Sequence, residues 1–247
     1  MLFLDALAWI FSPDRLTDNV PLPMLIGQHV FYTFLAVIVA SLVAIPLGWL
    51  IGHTGRGREI AVGLSGAARA VPSFGLMLLL VLVIGVTQKP LAASISFVLL
   101  AIPSILAGAY AGFEQIDRRV IDAARAVGMT PWQVLWKVEV PLGLPLLIGG
   151  LRSAVLQVVA TVVLAGYIGL GGLGLPIIEG LALRRFDQML GAALVIVALA
   201  LALDGLFALI EKLVVPRGVA AGRATDLRST PRRRRSVMGH PIEEGRG

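Results

Sequence analysis

Gly169-x-Gly171-x-x-Gly174 has the literal spacing of a dinucleotide-binding turn, in which glycines let the backbone approach a pyrophosphate. That chemistry also needs a strand before the turn, a helix after it and an acidic residue about twenty positions further on. Here a stretch long enough to cross a membrane precedes the glycines, and the region around Leu190 is apolar. Gly169, Gly171, Gly172 and Gly174 are therefore read as a hinge at the mouth of a membrane pathway. No Gly-x4-Gly-Lys-Ser/Thr phosphate loop occurs anywhere, so any ATP must bind to another chain. His29, His53 and His240 are too scattered for a metal site or an Asp/His/Ser grouping. With no cysteine there is no disulfide, thiolate nucleophile or Cys-based metal site. No catalytic constellation and no cofactor site is expected on this chain.

What remains is polar chemistry inside apolar stretches. Ser153, Gln157 and Thr161 recur every fourth residue and share one helical face. Such a face lines a pathway or bonds neighbouring helices, and the residue types alone do not choose. Arg152 is expected near a cytoplasmic end, where it can snorkel. Asp204, deeper in its stretch, is a candidate functional or intersubunit partner.

The elements that carry these residues must be membrane helices. Apolar residues make up 57% of the 247, and the mean hydropathy is +0.88. That is well above the roughly 45–50% of soluble domains. A span needs about 20 apolar residues, and five stretches qualify: 24–51, 60–86, 91–113, 142–168 and 189–215. The second contains Pro72 and is read as one kinked or broken span; Pro46 and Pro103 are further candidate kinks. Residues 1–23 form an N-terminal extracytoplasmic or interfacial segment with Trp9 as an aromatic anchor. This segment lacks a basic flank and carries Asp5, so it is not read as a cleaved signal peptide.

Charge sets the orientation. The tail 217–247 holds eight arginines against Asp226, Glu243 and Glu244, which accounts for +5 of the chain's +6. Nucleic-acid binding would need a basic folded face, and none is visible. The run 232–235 is either a lipid-surface anchor or a disordered topological signal. Arg56 and Arg58 flank the first turn, while Arg118, Arg119, Arg125 and Lys137 sit between the third and fourth spans. Placing all of these inside gives five spans, an outside N-terminus and a cytoplasmic tail. Arg184 and Arg185 fall outside in this scheme, close to Glu179 and Asp187.

The polar island 117–141 reads as two short helices. Asp117 caps the first and Gly128 ends it in a left-handed conformation. Thr130, Pro131 and Gln133 start the second with a capping box, and Pro141 is expected to stop it. Val120, Ala123, Ala124 and Val127 are spaced to share a face on which another protein surface could approach closely. Packing against the chain's own spans is the other possibility, because caps establish helices and not partners.

The full pattern Asp122-Ala123-Ala124-x3-Gly128-x9-Val138-x-Val140-Pro141 resembles the coupling loop of bacterial ABC importer permeases, written Glu-Ala-Ala, three residues, Gly, nine residues, Ile-x-Leu-Pro. Spacing matches throughout; Asp replaces Glu, and Val replaces both Ile and Leu. The segments Ile51-Gly52-His53-Thr54-Gly55-Arg56-Gly57, Arg69-Ala70-Val71-Pro72-Ser73 and Ile168-Gly169-Leu170-Gly171-Gly172-Leu173-Gly174 look like the osmoprotectant branch, which imports glycine betaine, choline, carnitine or proline. The glycine-rich segment is shared with methionine-type permeases. The resemblance implies an all-α, polytopic membrane bundle of about five spans with a methionine-permease-like fold, its permease domain running from 24 to 216. It further implies two ATPase subunits that carry ATP and Mg and grip the coupling loop. It also implies a second, identical or paralogous permease subunit, an extracytoplasmic binding protein and a bacterial inner-membrane location. Importers of amino acids such as methionine, and a channel-forming or structural membrane subunit without an ATPase, are the alternatives.

Overall fold

Backbone polar groups in lipid must be satisfied internally, which leaves helices or a closed barrel. Every regular element among the described residues is helical. The computed structural model describes residues 1–17 and 19–214. The arginine-rich tail with its run 232–235, His240, the last residue of the expected fifth span and the Arg69 side chain lie outside the described residues.

Helices α1 (Leu2–Phe11) and α2 (Asp14–Thr17) lead into α3 (Leu22–Thr54). Two shorter helices follow, α4 (Arg58–Ala70) and α5 (Ser73–Ile84), and then α6 (Lys89–Glu114). The polar island forms α7 (Arg118–Ala126) and α8 (Pro131–Val134), and a π-turn (Leu135–Glu139) joins α8 to α9 (Val140–Val162). A 3-10 segment (Val163–Ile168), the glycine turn, α10 (Gly174–Ala182) and α11 (Phe186–Val214) complete the order.

Four helical stretches are long and apolar enough to cross a membrane: Leu22–Thr54, Val86–Glu114, Pro131–Ile168 and Phe186–Val214. They match the expected first, third, fourth and fifth spans. The expected second span is broken at Val71 and Pro72 into helices of 13 and 12 residues. Each half falls short of the roughly 20 residues a straight span needs. Proline alone does not cause the break, since Pro46 and Pro103 lie inside continuous helices. Pro103 is buried against neighbours, whereas Gly63 and Gly66 in α4 face open space. The helix yields at Val71, where the following proline disfavours helical geometry and the backbone is extended at ψ 126°.

Small residues set the packing. Ala36, Ala40, Ala44, Gly48 and Gly52 fall every fourth residue along α3, and Ala36, Ala40, Ala44 and Gly48 are buried. A Cβ on Gly48 would strike the Cβ of Ala109 on α6. One turn further along α6, a Cβ on Gly112 would lie 2.6 Å from the carbonyl oxygen of Gly143 on α9. In lipid, where burial gives helices no hydrophobic drive to associate, close van der Waals approach of this kind holds them together. The core is filled by Met77, Phe97, Ile105, Val155, Val158 and Val162. A second cluster joins Trp9 to Leu22, Leu25, Leu173 and Ala192. Trp9 is therefore buried against α11, whose Gly191 leaves room for its ring, rather than exposed as an aromatic anchor.

Candidate functional site: the loop 117–141 and the glycine turn

The loop 117–141 is a small folded unit. The Asp117 carboxylate accepts the Arg119 N–H at 2.9 Å. Gly128 takes φ 84° with nothing within 4 Å of a Cβ, so conformation rather than space demands glycine there. Two reciprocal bonds start α8: Gln133 N–H to Thr130 Oγ1 at 3.3 Å, and Thr130 N–H to Gln133 Oε1 at 2.9 Å. Ile121, Ala124 and Val134 pack together, with Ile116, Met129 and Val138 around them.

That packing splits the face read from spacing. Ala124 turns inward with Ile121, while Asp122 and Ala123 are exposed and Val120 and Val127 are 43% and 80% exposed. Residues 123 and 124 differ by about 100° around a helix, so one core can hold only one of them. The outward apolar surface of α7 is Val120, Ala123 and Val127, while Trp132, 69% exposed, lines a groove with Trp49 and Trp136.

Pro141 does not stop the second helix. The chain stays helical from Pro131 to Ile168. The π-turn, in which the Val140 N–H bonds the Leu135 carbonyl, widens the helix just before the proline. Widening relieves the clash of the proline ring with a carbonyl one turn back. Val138 and Val140 are half-buried along this turn. Between them Glu139 is buried, its Oε2 2.5 Å from Nδ1 of His53 near the end of α3. Trp49 stacks on Phe113 and meets Trp136 edge-on at 5.6 Å; Trp136 meets Trp132 at 6.1 Å. Beside these rings lies an apolar groove of about 420 Å³.

At the opposite end of α3 stands the glycine turn. Gly169, Gly171 and Gly172 all have left-handed φ, from 67° to 83°. A Cβ on Gly174 would strike the Val163 carbonyl. The turn is pinned to α3: Gln28 Oε1 accepts the Gly172 N–H at 2.9 Å, and His29 Nδ1 accepts the Leu173 N–H at 3.3 Å. His29 is fully buried and its Nε2 donates to the Val159 carbonyl of α9 at 2.9 Å. These two bonds define the neutral tautomer.

The polar face of α9 is bonded within the bundle. Gln157 Nε2 donates to the Leu100 carbonyl at 3.2 Å, and its Oε1 accepts from Ser104 at 3.0 Å. Ser153 and Thr161 donate to carbonyls of their own helix. Arg152 does not snorkel; its guanidinium grips Asp204 of α11 in the same chain. Asp204 thus has an intrachain partner. Gln28, His29 and the His53–Glu139 contact were missed as a group, although Gln28-His29 is an adjacent polar pair in an apolar span, a signal in itself.

The capped loop and the pinned glycine turn thus stand at opposite ends of α3 in a bundle of apolar helices. The chain matches the family described as binding-protein-dependent transport system inner membrane component over residues 44–217. It is 28% identical over 193 residues to the glycine betaine/carnitine/choline transport system permease protein OpuCB of Bacillus subtilis (strain 168), spanning 78% of this chain and 88% of the relative. It is 32% identical over 196 residues to the carnitine transport permease protein OpuCB of Listeria monocytogenes, spanning 79% of this chain and 89% of the relative. Its fold is similar, with a TM-score of 0.67 and 20% identity, to a chain in a solved structure of inward-facing conformations of the MetNI methionine ABC transporter. That likeness covers 77% of this chain and 94% of the other. The chain belongs to the binding-protein-dependent transport system inner membrane component family.

Proposed function

We propose that this permease imports quaternary-ammonium and related osmoprotectants: glycine betaine, choline, carnitine or proline. The observation that carries the reading is sequence kinship spanning more than three quarters of the chain with permeases named for glycine betaine, carnitine and choline. The osmoprotectant-like segments point the same way, and two of them fall on the pinned glycine turn and the His53 end of α3.

The coupling loop is the handle for an ATPase. Its outward face of Val120, Ala123 and Val127 offers apolar area, and its caps and private core make it a rigid body. Two ATPase subunits holding ATP and Mg would each grip one loop of a permease pair. Their closure on ATP would swing the permeases between inward- and outward-facing states, a rigid-body transition. An extracytoplasmic binding protein delivers the solute, and any aromatic cage for the ammonium group belongs there. The loop lies in the cytoplasm in this arrangement, with the N-terminus and glycine turn on the opposite side. The glycine turn is the hinge on which α10 pivots.

Uptake of labelled glycine betaine, choline and methionine, compared between a deletion strain and its parent under osmotic stress, tests the reading. Loss of betaine or choline uptake on deletion is expected. Selective loss of methionine uptake would assign the permease to amino acids instead.

A further inference from the structure

Helix α9 alone is a poor transmission element. Its base is a π-turn followed by Pro141 and Pro145, and such features are where helices bend. A push on the coupling loop would be absorbed there unless something stiffened it. Glu139 is the last residue of that π-turn, and its buried carboxylate contacts His53 near the end of α3. Helix α3 then stays continuous through Pro46, close-packed on α6, over 24 residue steps from His53 back to His29, about 36 Å at 1.5 Å per residue. At that far end Gln28 and His29 hold the Gly172 and Leu173 amides, and His29 also bonds the Val159 carbonyl of α9. Two struts, α3 and α9, are thus tied together at both ends by side chains from α3.

We propose that His53 and Glu139 are positioning residues of the transport stroke: their contact braces the π-turn against α3, so that displacement of the coupling loop reaches the glycine turn instead of being lost in bending. This rests on the import reading above. The brace explains why a carboxylate is buried at the base of α9. It also explains why Gln28 and His29 spend their hydrogen bonds on a turn rather than on their own helix.

The chain has no cysteine, so Leu170→Cys places a single thiol beside the glycine turn. In the transporter reconstituted with its ATPase and binding protein, the maleimide reaction rate of that thiol is compared between nucleotide-free and ATP-trapped states. We expect a change of about tenfold with the brace intact, within the range by which coupling networks act. His53→Ala should reduce that change to less than about twofold while the ATPase remains bound and hydrolysing, so that more ATP is spent per solute. His53→Gln, which retains a donor for Glu139, should keep most of it. Gln28→Ala cuts the same frame at the opposite end, should give the His53→Ala result, and decides the matter if His53→Ala does not accumulate. An undiminished change in the broken variants overturns the brace. No nucleotide-dependent change with His53 and Gln28 both intact overturns the import reading itself, which separates the two failures.

Discussion

Arg152 and Asp204 join α9 to α11 through two parallel hydrogen bonds, Nε to Oδ1 and Nη2 to Oδ2. Both side chains are about a third exposed, at 36% and 29%. A charge within an apolar span persists only with a partner or water, and this bidentate geometry is the strong form of the pair. Asp204→Asn should strand the guanidinium and lower the folded yield in membranes severalfold. Arg152→Gln added to it should restore most of that yield, because neither charge is then unpaired. Monodispersity in detergent across the four combinations measures the coupling.

Gly128 separates conformation from contact. Its φ of 84° costs a residue with a β-carbon roughly 1–2 kcal/mol, yet the space around it is open. Gly128→Val should therefore distort the α7–α8 turn and abolish uptake with insertion intact. Gly128→Asn, which tolerates the left-handed region, should keep much of the activity. Radiolabelled uptake beside membrane abundance distinguishes the two variants.

The α6–α9 contact predicts a sharp contrast between glycines. A Cβ at Gly112 would meet the Gly143 carbonyl at 2.6 Å, whereas nothing lies within 4 Å of one at Gly149. Gly112→Val should cost about 1–3 kcal/mol through overpacking, and Gly149→Ala should be nearly silent in the same thermal-stability assay.

Gln157 bridges α9 to Ser104 and Leu100 of α6. Gln157→Leu should weaken that contact by about 0.6–2 kcal/mol, the range for interhelical bonds in membranes. If the residue also lines the pathway, transport should fall further than the loss of folded protein accounts for, without release of the ATPase. Uptake normalised to folded permease reads the difference.

The parts legible in the sequence were those governed by local rules. Asp117, Gly128 and the Thr130–Gln133 box act within a few residues of chain, and each cap formed as read. Span positions followed from hydropathy over about twenty residues. Pro141 and the 60–86 stretch show where local rules stop: Pro46, Pro103 and Pro141 sit in continuous helix, while the chain breaks before Pro72. The orientation of Ala124 was likewise decided by Val134, ten residues away. Long-range pairs were not legible. Nothing in the spacing of His53 and Glu139, 86 residues apart, or of Arg152 and Asp204, 52 apart, marks them as partners. Only helix packing brings them together.

ATP-driven accumulation of labelled glycine betaine by liposomes holding this permease with its ATPase and binding protein tests the central claim most directly. The account predicts uptake that requires enclosed ATP, is competed by choline or carnitine, and disappears with Gly128→Val. Uptake that ignores ATP, or that is competed by methionine and not by quaternary ammonium solutes, would contradict it.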